Sequence, residues 1–246
     1  METPTKKGVV VFSSYPAVAV DLGSNAIGLW AARRGTVSGD CGDGSLVRRG
    51  RIVDPEGCEA QLMHLVRRYS EPVPAGGVVV ACRPVLAETA DQLVMRRVLE
   101  TVFAPARLVL MDTVRAAAIG SGAAAGTLLV ADVGAQLTET ALLEHGRLSA
   151  GRRADIGTRD LTRGATVDLI SDIVVRHIDE LRAGPHARQV TAALARGILL
   201  VGDGASHDDL AAALGVRVHR AASPRTAALN GAGLAAMSLA RHPALR

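Results

Sequence analysis

The sequence AVAVDLGSN at residues 17–25 has a close counterpart, LLVADVGAQ, at residues 128–136. In each, four apolar residues typical of a buried strand are followed by an aspartate and a glycine-containing turn. A return strand then leads to another glycine, Gly35 in the first copy and Gly146 in the second. The copies lie 111 positions apart throughout, which indicates a duplicated half-domain rather than a solenoid. The alternative is a chance likeness between two β-hairpins.

Strands and helices alternate along the rest of the chain. The apolar pattern predicts strands at residues 78–81, 108–111 and 197–201, and helices at 59–68, 88–102, 115–119, 163–181, 208–214 and 224–239. Between residues 157 and 197 we expect only one long helix and a short link. This alternation is typical of parallel strands covered by helices, so the predicted fold class is α/β. The small residues at 120–126 predict the boundary between the halves.

Composition argues against several kinds of protein. The net charge is only +4, and no aromatic residues lie among the arginine pairs, so no nucleic-acid partner is expected. The seven histidines and three cysteines show no metal-ligand spacing, which argues against a zinc site. Residues 1–8 are polar, unlike a secretory signal, and no apolar run has the ~18 residues of a membrane span. We therefore expect a cytoplasmic location.

Three turns at strand ends are candidates for a phosphate-binding site: residues 21–25, 132–136 and 202–205. Strand ends are where α/β folds bind ligands, and glycine lets backbone N–H groups approach phosphate oxygens. Aspartates at strand ends hold Mg²⁺, usually through water, so Asp21 and Asp132 are the predicted magnesium residues. A single Asp-x-Gly turn is most often only a turn. The order of the three turns and the duplication favour nucleotide binding.

The order of these turns resembles the superfamily of actin, Hsp70 and the sugar kinases, and most of all the MreB-like bacterial actin homologues. Pieces similar to MreB are RGRIVD at 49–54, AAAIG at 116–120 and SPRTA…NGAG at 223–233. The resemblance covers most of residues 15–240. It implies an actin-like (ribonuclease H-like) duplicated fold with mixed sheets flanked by helices. The expected organisation is an N-terminal tail at 1–14, a first lobe at 15–126 and a second lobe at 127–246.

The resemblance also implies ATP and Mg²⁺ as ligands. Residues 21–25 look like the first phosphate loop, 132–139 like the second, and 202–205 like the adenosine motif. The implied nucleotide-binding residues are Asp21, Gly23, Ser24, Asn25, Asp132, Gly134, Gln136, Thr138, Gly202, Asp203 and Gly204.

The chain departs from the MreB pattern within these loops. Ala135 and Gln136 stand at glycine positions, and Leu137 replaces a threonine. A β-carbon restricts positive φ and takes up room where phosphate would lie. Asp203 replaces a glycine and brings a negative charge that repels phosphate unless a metal offsets it. These changes predict that nucleotide binding is weak or lost.

The expected catalytic position departs from the pattern as well. Thr113 stands where the resemblance expects the carboxylate that positions the attacking water, and a threonine is not a general base near neutral pH. The adjacent Asp112 is the candidate substitute. Residues 35–49 and 157–197 are too few for the outer small subdomains of MreB, so the chain looks like a shortened relative with both reduced or missing.

The leading hypothesis is an actin-like cytoskeletal or cell-shape protein of the MreB type with degenerate or weak nucleotide binding. It would act in morphogenesis through assembly with itself, another MreB-type protein or cell-envelope proteins. By analogy it would work in the cytoplasm at the inner face of the membrane through peripheral association. The alternative is an active Mg-ATP-dependent, filament-forming ATPase, so enzymatic activity stays open. A small-molecule kinase of the superfamily and a domain without a nucleotide role are further alternatives.

Overall fold

The computed structural model describes residues 16–42, 45–123 and 126–241. The N-terminal tail predicted at 1–14 lies outside them. The strands are β1 (Ala17–Leu22), β2 (Ala26–Ala31), β3 (Gly35–Asp40), β4 (Val47–Arg48), β5 (Arg51–Ile52), β6 (Val78–Arg83), β7 (Arg107–Asp112), β8 (Thr127–Val133), β9 (Thr138–Glu144), β10 (Arg147–Ala154), β11 (Ile198–Val201) and β12 (Val218–Arg220). The helices are α1 (Pro55–Arg67), α2 (Thr89–Phe103), α3 (Thr113–Gly120), α4 (Val167–Arg182), α5 (Ala187–Arg196), α6 (Asp208–Ala213) and α7 (Ala227–Ala240).

Two five-stranded sheets have the same connectivity. Their strand orders are β3-β2-β1-β6-β7 and β10-β9-β8-β11-β12. In each sheet the central strand pairs antiparallel with the strand that follows it and parallel with the strand on its other side. The predicted mixed α/β fold is therefore confirmed, and the duplication seen in the sequence is a duplication of sheet topology. We call the two halves the first and second lobes after their sheets.

Several sequence predictions need correction. Two helices, α4 and α5, stand between residues 157 and 197 where one was expected. The Gly184-Pro185 pair separates them, and α5 was missed because its buried face carries only Val190 and Ala193. The return strand of the first copy ends at Ala31, and Gly35, which was expected only to end the hairpin, begins a third strand. The short edge strand β12 was also missed, since three residues carry too little pattern to recognise.

Helices cover the outer face of each sheet. In the first lobe, Leu62 and Leu65 of α1 and Val98 of α2 are fully buried in one apolar cluster with the sheet. In the second lobe, Ile170 and Val174 of α4 are buried in one apolar cluster with strand residues. Burying such side chains stabilises a fold by about 1.5–3 kcal/mol each.

A third apolar cluster lies between the two sheets, where α3 packs against α7. The two helix backbones approach so closely that a β-carbon on Gly231 would overlap the Ala116 carbonyl oxygen. A β-carbon on Gly120 would likewise overlap the Ala227 oxygen. Although α7 follows the second sheet in sequence, it packs against β1 and β6 of the first. The limits proposed for the lobes stay a prediction.

In the part of the chain that the structure describes, none of the helices combines the length and apolar character needed to cross a membrane.

Candidate functional site

A cavity of about 340 Å³ opens between the two lobes at the ends of their central strands. Because β1 and β8 occupy equivalent places in the two sheets, their last residues reach this cavity from opposite sides. The turn after β11 forms another part of the wall. The predicted residues that line the cavity are Asp21, Gly23, Ser24, Asn25, Asp132, Gly134, Gln136, Gly202 and Asp203.

Two of the predicted nucleotide residues are not on the wall. Thr138 is fully buried, and its hydroxyl donates to the Ile156 carbonyl oxygen at 2.8 Å. Gly204 is buried against the side chain of Val133. The Thr138 hydrogen bond stabilises the strand that follows the second turn, and neither residue contacts the cavity directly.

The cavity wall is rich in carboxylates. Burial, and then the nearby Asp203, raises the pKa of Asp21 to about 6. Burial, and then Asp21 and Asp203, raises the pKa of Asp132 to about 7. Asp203 has a partner of its own, since Arg225 approaches it at 3.0 Å. This ion pair offsets the charge at the adenosine-like turn, while Asp21 and Asp132 repel each other across the cavity.

Glu139 is a wall residue that sequence reasoning missed as a site. It stands on β9 directly opposite Asp132 in the strand register, and its side chain is nearly inaccessible. Its Oε1 accepts a 2.5 Å hydrogen bond from the Val85 N–H in the other lobe. Burial, and then the neighbouring Asp132, raises the pKa of Glu139 well above its ordinary value. The available signal was a glutamate in the first half of a strand whose neighbouring residues, from Thr140 to Leu143, are uncharged and buried.

Hydrogen bonds to other residues of the protein hold the second phosphate-like turn. The Gly134 N–H donates to the Leu137 carbonyl oxygen at 2.9 Å. The Gly134 and Ala135 carbonyl oxygens accept from the N–H groups of residues 158 and 159, at 2.9 and 2.8 Å. The side chain of Gln136 crosses to the first lobe, where its Oε1 accepts from the Arg49 N–H at 3.2 Å. Several hydrogen bonds therefore hold the turn, and the Gln136 side chain stands at a position where the resemblance expects a glycine.

Hydrogen bonds from both lobes hold the first phosphate-like turn. The Cys41 thiol donates to the Gly23 carbonyl oxygen at 3.0 Å, and the Cys41 N–H donates to the Asn25 oxygen at 3.3 Å. Arg159 of the second lobe donates to Asn25 Oδ1 at 2.9 Å. Ser24 and Asn25 thus remain at the cavity wall in a defined position.

The predicted catalytic residues have different placements. Thr113 lines the cavity, but its hydroxyl donates to the Arg83 carbonyl oxygen at 3.0 Å. Asp112 is not among the residues of the cavity wall, and it pairs with the Arg83 guanidinium at 3.1 Å. Burial raises the pKa of Asp112 more than Arg83 and Arg115 lower it. The structure therefore gives Asp112 no direct access to a ligand in the cavity.

The carboxylates of the cavity wall are suited to a metal ion only when a bound ligand carries that ion into the cavity. Among the described residues, no group of three or more His, Cys, Asp or Glu side chains is placed to hold a metal ion. Mg²⁺ needs few protein ligands when it is carried by phosphates, and often one or two carboxylates suffice. Asp21 and Asp132, which repel each other when ionised, are the residues that would face such a Mg²⁺-phosphate group.

No protein-family model and no curated protein sequence matches the chain. Several solved structures do match the chain. MreB5 of Spiroplasma citri bound to AMPPNP has a TM-score of 0.77 at 14% identity, over 92% of this chain and 97% of that one. The chain has the actin-like fold. The ethanolamine utilization protein EutJ from Carboxydothermus hydrogenoformans follows at a TM-score of 0.63, with 19% identity over 89% of each chain.

A third actin-like match is a chain of the PilM–PilN type IV pilus biogenesis complex. Its TM-score is 0.60 at 14% identity, over 90% of this chain and 98% of that one. A second structure of Spiroplasma citri MreB5, bound to ADP, matches this chain with a TM-score of 0.75. At these identities the comparisons show the shared fold, and the ligands and partners named belong to those proteins.

Proposed function

We propose that this chain is an actin-like protein of the MreB type that binds nucleotide weakly and acts mainly through protein assembly. The observation that carries the proposal is the Gln136 side chain, which spans the cleft to Arg49 where the resemblance expects a glycine. A nucleotide phosphate would compete with this hydrogen bond and with the space that the amide fills. The remaining wall includes Asp21 and the glycine turns at 23 and 202, and these residues support weak rather than absent nucleotide binding.

The surroundings of Thr113 support weak or absent hydrolysis. Its hydroxyl is engaged by Arg83, and the neighbouring Asp112 pairs with the same arginine away from the wall. General-base catalysis requires a group with a suitable pKa within hydrogen-bond reach of the attacking water. Neither residue meets that requirement.

A second candidate function, an Mg-ATP-dependent filament-forming ATPase, is favoured by Glu139. This carboxyl lines the same cavity beside Asp132 and could contact a water molecule there. Its hydrogen bond to Val85 uses one oxygen and leaves the other for such a contact. The two candidates differ in whether nucleotide is turned over, and an experiment can separate them.

The partners proposed are a second copy of this chain, another MreB-type protein, or a cell-envelope morphogenesis protein. The match to a chain of the PilM–PilN complex, which is an assembly of proteins, supports a role in protein assembly. We further propose a cytoplasmic location with peripheral attachment to the inner face of the membrane.

The decisive experiment measures nucleotide binding and phosphate release on the same preparations. Fluorescent ADP and ATP are titrated with Mg²⁺ into wild type, Asp132→Ala and Gln136→Ala, with Gln61→Ala as control because Gln61 lies on α1 away from the cavity. We expect weak saturable binding that Asp132→Ala abolishes and Gln136→Ala strengthens. Absence of saturation at millimolar nucleotide would contradict the nucleotide part of the proposal.

Phosphate release separates the two candidates. Release indistinguishable from the Asp132→Ala background supports the weak-binding assembly protein. Release well above that background, lost in Glu139→Gln, supports the ATPase instead. Sedimentation of the wild type at several concentrations, with and without nucleotide, then tests self-assembly. If the protein is a monomer at every concentration, self-assembly is excluded and the proposed partner is a different protein.

A further inference from the structure

The β4–β5 hairpin has an unusual tip. Arg49 adopts a φ of +48° and Gly50 a φ of +72°, so the backbone turns sharply at these two residues. A non-glycine residue in this region carries a strain that surrounding contacts must offset. The hairpin belongs to the first lobe, since Val47 is fully buried in the first-lobe core.

All the polar groups described for Arg49 are bound by the second lobe. Its N–H donates to Gln136 Oε1 at 3.2 Å. Its carbonyl oxygen accepts from Arg153 Nη2 at 2.7 Å, and its guanidinium pairs with Asp160 at 3.5 Å. The Arg153 side chain is largely buried, and charge-assisted hydrogen bonds in such surroundings are stronger than exposed ones.

Apolar packing accompanies these bonds. A β-carbon on Gly50 would lie 3.1 Å from Leu137 Cδ2 and would also crowd Pro84, so the tip fits closely between the two lobes. Gln136 and Leu137 are two of the residues that depart from the glycine and threonine pattern of the MreB-like loop. The two side chains that make this turn a poorer phosphate loop therefore also contact the Arg49–Gly50 tip.

We propose that the Arg49–Gly50 tip is an interlobe latch that holds the cleft closed without a bound ligand. Two further contacts join the lobes on either side of it, from Arg159 to Asn25 and from the Val85 N–H to Glu139. Direct hydrogen bonds between protein groups thus bridge the cleft in the absence of a ligand. Nucleotide then adds little to closure, because a ligand shifts an equilibrium only by its differential affinity for the two states.

The latch is tested by measuring the interlobe distance in nucleotide-free protein. Spin labels are placed on exposed positions through Glu100→Cys on α2 and Arg188→Cys on α5, and the three native cysteines are buried. Double electron–electron resonance then reports the distance distribution. We expect one narrow distribution for the otherwise wild-type protein, unchanged by Mg²⁺ and ADP.

Removing the latch residues is expected to open the cleft. In Gln136→Gly/Arg153→Ala, the distribution should broaden and shift to longer distances. The matched control is Arg152→Ala, because Arg152 pairs with Glu180 inside the second lobe at 2.8 Å and should leave the distance unchanged. If the double variant does not fold, Asp160→Asn serves instead, since asparagine keeps an oxygen for the Gly157 N–H and loses only the charge that pairs with Arg49.

The proposal is overturned by either of two results. One is a broad wild-type distribution that narrows only when nucleotide is added. The other is a folded latch variant with the same distribution as the Arg152→Ala control. The comparison of the latch variants is made without nucleotide, so it does not depend on whether the cavity binds one.

Discussion

The carboxylate of Asp132 lies directly against Gly202, so closely that a β-carbon on Gly202 would overlap Asp132 Oδ1. Asp132 is in β8, and Gly202 directly follows the neighbouring parallel strand β11, whose last residue, Val201, stands opposite Asp132 in the register. Gly202 also has a φ of +82°, which favours glycine. The absence of a side chain at Gly202 therefore leaves the space that the Asp132 carboxylate occupies at the cavity wall.

Replacing Gly202 by alanine should therefore destabilise the fold and displace Asp132. Gly35→Ala is the matched control, because Gly35 has a φ of +81° and nothing within 4 Å of the added β-carbon. We expect about 1 kcal/mol of destabilisation for the control and about 2–4 kcal/mol for Gly202→Ala, measured by urea unfolding. Equal losses in the two variants would show that the crowding against Asp132 relaxes without cost.

The ligand-free protein should lose stability as the pH rises from about 4 to about 7. Both Asp21 and Asp132 have raised pKa values in the folded state, about 6 and about 7, so the folded protein holds protons that the unfolded chain releases. The free energy of unfolding then falls with pH by at most about 1.4 kcal/mol per unit for each carboxyl. Urea unfolding across this range should give a smaller slope for Asp132→Asn than for wild type. A wild-type slope in the variant would refute the assignment.

Two substitutions at Glu139 separate its hydrogen bond from its charge. Glu139→Gln keeps an oxygen for the Val85 N–H and removes the charge beside Asp132, so near-neutral stability should be equal to or above wild type. Glu139→Ala leaves that N–H without its partner and opens a cavity, with an expected loss of about 2–4 kcal/mol. Thermal or urea unfolding measures both, and similar losses in the two variants would mean that the ionised carboxylate itself stabilises the fold.

The close crossing of α3 and α7 predicts whether Gly231→Ala raises or lowers the stability of the protein. Helix propensity alone predicts that Gly231→Ala stabilises α7 by about 1 kcal/mol. The added β-carbon would overlap the Ala116 carbonyl oxygen, so we expect destabilisation by several kcal/mol. Ser238→Ala on the exposed side of α7 is the control and should change stability by no more than about 0.5 kcal/mol. A stabilised Gly231→Ala variant would contradict the close helix crossing.

Much of the fold could be predicted from local sequence. The strand–Asp–x–Gly unit at residues 17–23 and again at 128–134 identified the two central strands and placed Asp21 and Asp132 at their ends. Period-2 and period-3.6 patterns located most helices and strands, because these patterns reflect which face of each element is buried. Among the elements that were missed, α5 and β12 are short or have few large apolar residues.

The composition of the cavity wall required the tertiary structure. Gln136 could be recognised as a departure from a glycine pattern, but its partner Arg49 lies 87 positions earlier in the chain. Glu139 is bonded to Val85, 54 positions away, and Asp112 turns to Arg83 and not to the cavity. Local patterns fix which residues end a strand, since burial and turn formation act between near neighbours. They cannot fix which side chains meet across a cleft, because that depends on how two separately folded sheets are packed.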